Sequence, residues 1–119
     1  MGDFAENLSL SPEVNVKNVT VDGGRARAFL IQTDNVKIEN CNVSNLGLAG
    51  VIISPDINNW NEMGPAENIE ISGCSFTNVC AMGVEECKGV IFSAASHEGS
   101  QTKEIIHKNI VVSNNVFSE

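Results

Sequence analysis

The sequence predicts an all-β fold, a right-handed parallel β-helix (a solenoid) of about three to four coils. Val and Ile dominate the apolar residues and favour strands, while frequent Asn, Gly and Ser residues favour tight turns. No long window keeps the helical period of about 3.6 residues, so almost no helix is expected. A recurring strand pattern then distinguishes a β-helix from other β architectures.

That pattern reads apolar-x-apolar-x-(Asn/Gly)-x-x-apolar. Its alternation places the apolar side chains on one face of a strand. The Asn or Gly allows a bend in left-handed backbone, after which a second inward strand begins. The pattern occurs without gaps at residues 14–21, 36–43, 69–76 and 110–117.

The starts of these segments are 22, 33 and 41 residues apart. The shortest spacing corresponds to one β-helix coil, and the longer ones to coils with insertions. Cys41 and Cys74 share a position and are expected to stack in the interior without forming a disulfide. Another column contains the residues Asn18, Asn40, Gly73 and Asn114. Since the cysteines lack CxxC spacing, all four are interpreted as small buried residues in turns, and no metal or cofactor is expected.

The whole chain, residues 1–119, is predicted to be one β-helix domain and a fragment of a longer protein. Residues 1–13 are predicted to cap the first coil, with Phe4, Leu8 and Leu10 as plugs. The opposite end has no cap, so we expect a homo-oligomer formed through the open β-helix ends.

Another strand is predicted in each coil, at residues 28–32, 50–54 and 89–93. The connections that follow differ in length, and all of them leave the same edge of the stack. Since insertions on one side of a rigid repeat platform commonly carry function, the site is expected at this edge.

The second connection contains Asp56, Asn58, Trp60 and Glu62. An aromatic face together with carboxylates and amides suits a sugar. Asp34 lies 22 residues before Asp56, so the two carboxylates are expected on neighbouring coils, where proximity favours acid/base chemistry. The alternative is a solvated loop with Trp60 packed against the coil wall.

Arg25 and Arg27 are predicted to lie on one face, at the entry to the strand at residues 28–32. They would bind ligand oxygens or a catalytic carboxylate; the alternative is surface ion pairing. The net charge of −8 disfavours nucleic acid and anionic membranes as partners. No segment approaches the roughly 18 apolar residues of a membrane span. No role is assigned to His97 or His107.

Two segments resemble those of the α-1,3-galactosidases of glycoside hydrolase family 110. Residues 24–31 resemble the family's Asn-Arg-Ala-Arg-Gly segment, and residues 50–65 its Gly-Asp-x-Asn-Tyr-Trp-x-Glu-Ser-Gly-Pro loop. The residues that match this loop are Asp56, Asn58, Trp60, Glu62, Gly64 and Pro65. The chain departs from the family at Gly24, Ala28, Ser54-Pro55 and Asn59.

The resemblance implies an inverting β-helix exo-enzyme that releases terminal α-1,3-linked galactose, with a galactose-terminated glycan as its partner. It also implies that Asp56 and Glu62 are catalytic and that Arg25, Arg27, Asn58 and Trp60 bind substrate. Asp34 joins the catalytic candidates through the stacking argument. For the longer protein we expect an extracellular or periplasmic (secreted) location, although the chain itself shows no signal-peptide pattern.

Two alternatives stay open. One is a non-catalytic β-helix module that binds glycan or acts as a scaffold. The other is a pectin-type β-helix enzyme, since Gln32-Thr33-Asp34 is similar to the Asn-Thr-Asp of polygalacturonases. The later His-Gly and Arg-x-Lys motifs of those enzymes are missing, and their acidic substrate would meet a negatively charged chain.

Overall fold

The computed structural model describes residues 8–10, 12–54, 66–93 and 107–119. These ranges contain a single 3₁₀ turn (Leu8–Leu10), eleven strands and no α-helix. No helix within them has the length and apolarity needed to span a membrane. The strands are β1 (Val14–Lys17), β2 (Thr20–Gly24), β3 (Phe29–Ile31), β4 (Val36–Glu39), β5 (Asn42–Leu46), β6 (Val51–Ile53), β7 (Glu67–Ser72), β8 (Ser75–Thr77), β9 (Ile91–Ser93), β10 (Lys108–Ser113) and β11 (Val116–Ser118).

The strands form three parallel sheets. Each of the first three passages of the chain contributes one strand to every sheet, and the fourth contributes a strand to two of them. The first sheet has the order β1-β4-β7-β10, the second β2-β5-β8-β11, and the third β3-β6-β9. We call one passage through the sheets a circuit: the first is residues 14–35, the second 36–68, the third 69–109, and the fourth begins at 110. The fold is therefore all-β and parallel, which is compatible with the predicted right-handed β-helix.

Pairing in the first sheet confirms the predicted register. Val14 pairs with Val36, Val36 with Ile69, and Ile69 with Ile110. Each of the four repeat segments contains two strands, as predicted, and the strands predicted at residues 28–32, 50–54 and 89–93 are β3, β6 and β9.

The third sheet departs from the simple alignment by one residue. The aligned segments place Val90 opposite Val51, whereas Val51 pairs with Ile91. The N–H groups of Gly50 and Val51 both donate to the Val90 carbonyl, at 2.8 and 3.0 Å. Because Val90 serves two consecutive N–H groups, the third circuit is shifted by one residue relative to the second circuit in this sheet.

The hydrophobic core lies mainly in the second and third circuits, because these circuits have stacked neighbours on both sides. Burying each large aliphatic side chain contributes about 1.5–3 kcal/mol. Phe76 is the largest fully buried side chain and stacks on Phe117, with ring centroids 5.4 Å apart. The core comprises Ile31, Val36, Ile38, Cys41, Val43, Leu46, Ala49, Val51, Ile53, Ala66, Ile69, Ile71, Cys74 and Phe76.

Inward positions lose their cover in the fourth circuit. Val112 and Phe117 pair with the buried residues Ile71 and Phe76, yet they are 47% and 53% exposed. Association through this end stays a prediction. At the other end, Leu10 is the only predicted plug with a described side chain, and it is mostly exposed. Phe4 lies outside the described residues, so the N-terminal cap also stays a prediction.

The predicted Asn column forms the corner between the first and second sheets. Asn18, Asn40, Gly73 and Asn114 all have positive φ, between 52° and 64°. A Cβ on Gly73 would lie 2.5 Å from Asn40 Oδ1, so the Asn40 amide occupies the space that a side chain would need. Asn and Gly are favoured at this corner because they tolerate left-handed backbone.

The cysteines are of two kinds. Cys41 and Cys74 are reduced and buried in adjacent circuits, as predicted. Burial raises the pKa of the Cys74 thiol, which keeps it protonated. Cys80 and Cys87, in contrast, form a disulfide, so their interpretation as simple turn-filling residues is wrong. The two cysteines are seven residues apart, and no known sequence motif with that spacing indicated the pairing.

This arrangement predicts the result of a thiol titration with Ellman's reagent. In the native chain, Cys41 and Cys74 should react slowly because both are buried. Denaturation without reductant should expose two thiols, and denaturation with reductant four. Four thiols in the unreduced denatured chain would contradict the Cys80–Cys87 pairing.

A second prediction concerns Gly50, which faces the core. A Cβ at this position would lie 2.6 Å from Phe76 Cδ1 and 3.2 Å from the Val90 carbonyl oxygen. We therefore expect Gly50→Ala to lower the free energy of unfolding by about 1–3 kcal/mol. Urea denaturation measures this, with Gly89→Ala as control.

At Gly89 the nearest atom to an added Cβ is 3.4 Å away, the Ile91 carbonyl oxygen. Gly89→Ala should therefore change the free energy of unfolding by no more than about 0.5 kcal/mol. Equal effects of the two substitutions would contradict the packing described at Gly50.

Candidate functional site

The candidate site lies at the edge where the chain leaves the third sheet and enters the first. The Ser54 N–H donates to the Ile31 carbonyl at 3.2 Å, so the second circuit still follows the first at Ser54. The two circuits are again in step at Glu67, whose carbonyl accepts the Asn35 N–H at 3.0 Å. The insertion of the second circuit is therefore confined to residues 55–65, which lie outside the described residues.

Asp34 is half-buried at the base of this edge. Its Oδ1 accepts the Glu67 N–H at 2.8 Å, so the carboxylate holds the first residue of β7. Its predicted neighbour Asp56 lies outside the described residues, and the stacking of the two carboxylates stays a prediction. In the described structure Asp34 connects the first circuit to the point where the insertion ends.

His107, in the third circuit, lies opposite Ala66, one position before the level of Asp34 and Glu67. Its Nδ1 accepts the Ala66 N–H at 3.0 Å. An accepting Nδ1 carries no proton, so the neutral ring has its proton on Nε2. Sequence reasoning assigned no role to His107. The register could have found it, because counting back from Ile69 and Ile110 by three residues reaches Ala66 and His107.

An asparagine ladder runs beside these residues. The Asn68 amide donates to Asn35 Oδ1 at 3.0 Å, and the Asn109 amide donates to Asn68 Oδ1 at 2.8 Å. The three residues have φ values of 56°, 59° and 53°. They line an open cleft of about 480 Å³ together with Glu13 and Lys37. Amides and charged groups of this kind can bind the hydroxyl groups of a ligand.

Charged side chains form pairs between neighbouring strands on the outer face of the first sheet. Each pair joins residues that the register places opposite one another: Lys17–Glu39 at 3.1 Å, Lys37–Glu70 at 3.8 Å and Lys108–Glu67 at 3.4 Å. All are partly exposed, so each contributes at most about 1 kcal/mol. The last pair lies next to His107 and the end of the insertion.

The two arginines lie at the other end of the third sheet. Arg25 and Arg27 are exposed and precede β3, whereas Asp34 follows it. None of the ion pairs among the described residues includes either arginine. Their predicted partners Asp56 and Glu62 lie outside the described residues, so this contact stays a prediction.

A second polar cluster lies near these arginines. Asp22 Oδ1 accepts hydrogen bonds from the Ser44 hydroxyl and the Asn45 amide, both at 2.8 Å. These two bonds lower the pKa of the Asp22 carboxyl, because they favour its charged form. The cluster connects the first and second circuits at the corner that follows β2.

The remaining candidates, Asn58 and Trp60, also fall within residues 55–65 and outside the described structure. The described part of the site therefore consists of Asp34, His107 and the asparagine ladder. Within the described ranges, no group of three or more His, Cys, Asp or Glu residues could hold a metal ion.

Comparison with known proteins supports the predicted resemblance. An alpha-1,3-galactosidase A of Bacteroides fragilis is 29% identical over 116 residues, which cover 97% of this chain. The enzyme of the same name from Peterkaempfera griseoplana is 29% identical over 98% of the chain. The chain is homologous to alpha-1,3-galactosidases. An alpha-1,3-galactosidase B of Bacteroides thetaiotaomicron, 27% identical over 117 residues, extends the same finding.

The similarity covers nearly all of this chain but only part of each relative. The chain spans 19% of the Bacteroides fragilis and Bacteroides thetaiotaomicron enzymes and 15% of the Peterkaempfera griseoplana enzyme. No protein-family model matches the chain, and no solved structure matches it.

The asparagine ladder predicts an order of stability among variants of Asn68. Asn68→Gly removes both ladder bonds but tolerates the positive φ, so we expect a loss of about 1–2 kcal/mol in urea denaturation. Asn68→Ala should lose about 1 kcal/mol more, because left-handed backbone strains an alanine. An alanine variant as stable as the glycine variant would contradict this role of the corner geometry.

Proposed function

We propose that this chain forms part of a carbohydrate-active β-helix that removes terminal α-1,3-linked galactose from glycans. The observation that carries the proposal is the similarity to alpha-1,3-galactosidases along 97–98% of the chain. Since the chain spans no more than about a fifth of those relatives, the activity of the whole protein is part of the proposal. The right-handed coil and an extracellular or periplasmic location of the longer protein belong to it as well.

The described geometry supports a site at the insertion edge. The sheets form a regular stack up to Ser54 and resume at Ala66, so the intervening residues leave from a platform bonded on both sides. A platform of this kind limits the movement of groups attached to it, as a catalytic constellation requires.

The proposed chemistry is hydrolysis with inversion by a pair of carboxyl groups. Asp56 and Glu62 would serve as general acid and general base, about 6.5–9.5 Å apart, with a water between the base and the anomeric carbon. The acid protonates the departing glycosidic oxygen while the base removes a proton from that water. Asp34 is the third carboxylate of the site.

Substrate binding is assigned to residues of the insertion and to the two arginines at the other end of the third sheet. Trp60 would stack on the apolar face of the sugar, and Asn58 would hydrogen-bond its hydroxyls. Arg25 and Arg27 would contribute forked donors to ligand oxygens or to a carboxylate. No cofactor is required by this chemistry.

The test is hydrolysis of an α-galactoside panel, with α-1,3-linked galactobiose as the main substrate. Proton NMR should detect β-galactose as the first product, because inversion changes the anomeric configuration. Asp56→Asn and Glu62→Gln should each lower kcat by orders of magnitude while urea denaturation shows an unchanged fold. Release of α-galactose first, or near-normal turnover by both variants, would contradict the two-carboxylate mechanism.

A non-catalytic glycan-binding module is the second candidate. The polar cleft beside the asparagine ladder favours it. The amides and charged groups of this cleft could bind a sugar, and binding alone needs no catalytic carboxylate. Saturable binding of a galactose disaccharide by a chain that fails to hydrolyse every α-galactoside tested would support this candidate over the hydrolase.

A further inference from the structure

Two consecutive N–H groups at the end of the insertion are bonded by side chains. The Ala66 N–H donates to His107 Nδ1 at 3.0 Å, and the Glu67 N–H donates to Asp34 Oδ1 at 2.8 Å. The acceptors come from opposite sides, since Asp34 belongs to the first circuit and His107 to the third.

The backbone carbonyls of the same two residues complete the arrangement. The Ala66 carbonyl accepts the Lys108 N–H at 3.0 Å, and the Glu67 carbonyl accepts the Asn35 N–H at 3.0 Å. Ala66 is therefore held through both backbone groups by the third circuit, and Glu67 through both by the first. The point where residues 55–65 rejoin the sheets is bonded in two opposite directions.

We call the bonds from Asp34 to Glu67 and from His107 to Ala66 the clamp. Burial makes this clamp energetically important. Ala66 has no exposed surface, so its N–H depends on His107 Nδ1 as its hydrogen-bond acceptor. A buried N–H without an acceptor costs about 1–3 kcal/mol. Asp34 and His107 thus replace the strand-to-strand bonds that these N–H groups would otherwise need.

We propose that Asp34 and His107 are positioning residues that fix the end of the 55–65 insertion, and that Asp34 acts in hydrolysis through this backbone bond. The proposal rests on the proposed function only for its catalytic consequence, since the insertion carries Asp56 and Glu62. The clamp itself depends on the described contacts alone.

The first experiment measures amide hydrogen exchange by NMR on the ¹⁵N-labelled chain. Asp34→Ala should accelerate exchange at Glu67 by about tenfold or more, and His107→Leu should do the same at Ala66. Asp34→Asn keeps an oxygen acceptor, and His107→Asn supplies one in place of Nδ1, so exchange in both variants should stay within about threefold of the unsubstituted chain. Exchange at Ile38, in the core of β4, controls for global destabilisation.

The imidazole gives an independent spectroscopic readout. Long-range ¹H–¹⁵N correlation should show His107 with its proton on Nε2 and an unprotonated Nδ1, as the acceptor role requires. A proton on Nδ1 would overturn the clamp. Unchanged exchange at Ala66 in His107→Leu, together with unchanged exchange at Glu67 in Asp34→Ala, would also overturn it.

Activity on α-1,3-linked galactobiose tests the catalytic consequence. His107→Leu should lower kcat more than it raises KM. The kcat of His107→Asn should be at least about tenfold higher than that of His107→Leu. Asp34→Asn should likewise turn over at least about tenfold faster than Asp34→Ala. Equal loss in the two Asp34 variants, with Glu67 still protected in Asp34→Asn, would assign the Asp34 charge to the chemistry and overturn the positioning role. Absence of hydrolysis by the unsubstituted whole protein would contradict the proposed function, while hydrogen exchange would still decide the clamp.

Discussion

Parallel pairing between successive circuits is the interaction on which the rest of this structure depends. Each strand bonds to the strand one circuit before or after it, so a residue meets the residue at the same position of the next circuit. Apolar residues at inward positions therefore form continuous columns such as Val14, Val36, Ile69 and Ile110. A shift by one residue would turn every inward side chain outwards, which keeps this register strongly specified.

The same constraint explains where the chain can vary. Corners must turn within a fixed number of residues, and Asn or Gly in left-handed backbone does this at three of them. An insertion is tolerated where it leaves and rejoins the stack without displacing a strand, as between Ser54 and Ala66. Rejoining leaves two backbone N–H groups without strand partners, and Asp34 and His107 supply the acceptors. Structural requirements and the candidate site thus meet at one edge.

Much of the fold could be predicted because its signal is periodic. The first-sheet register, the stacked Cys41 and Cys74 and the Asn40–Gly73 corner all follow from counting along the chain. Less of the site could be predicted, since its contacts depend on single side chains. The register places Asp34 opposite Glu67, 33 residues later, but it does not show that the Asp34 carboxylate accepts the Glu67 N–H. The stacking of Asp34 on Asp56 and the convergence of Trp60 and Glu62 stay predictions.

The sequence by itself determined the strands, their register and the edge that carries the insertions, because alternation and spacing specify which residues face inwards and which stack. It also determined the resemblance to alpha-1,3-galactosidases, which the comparisons support. Only the tertiary structure decided the Cys80–Cys87 disulfide and the pairing of Val51 with Ile91. Each of these depends on where a turn or a side chain lies in space, and local spacing carries no information about that position.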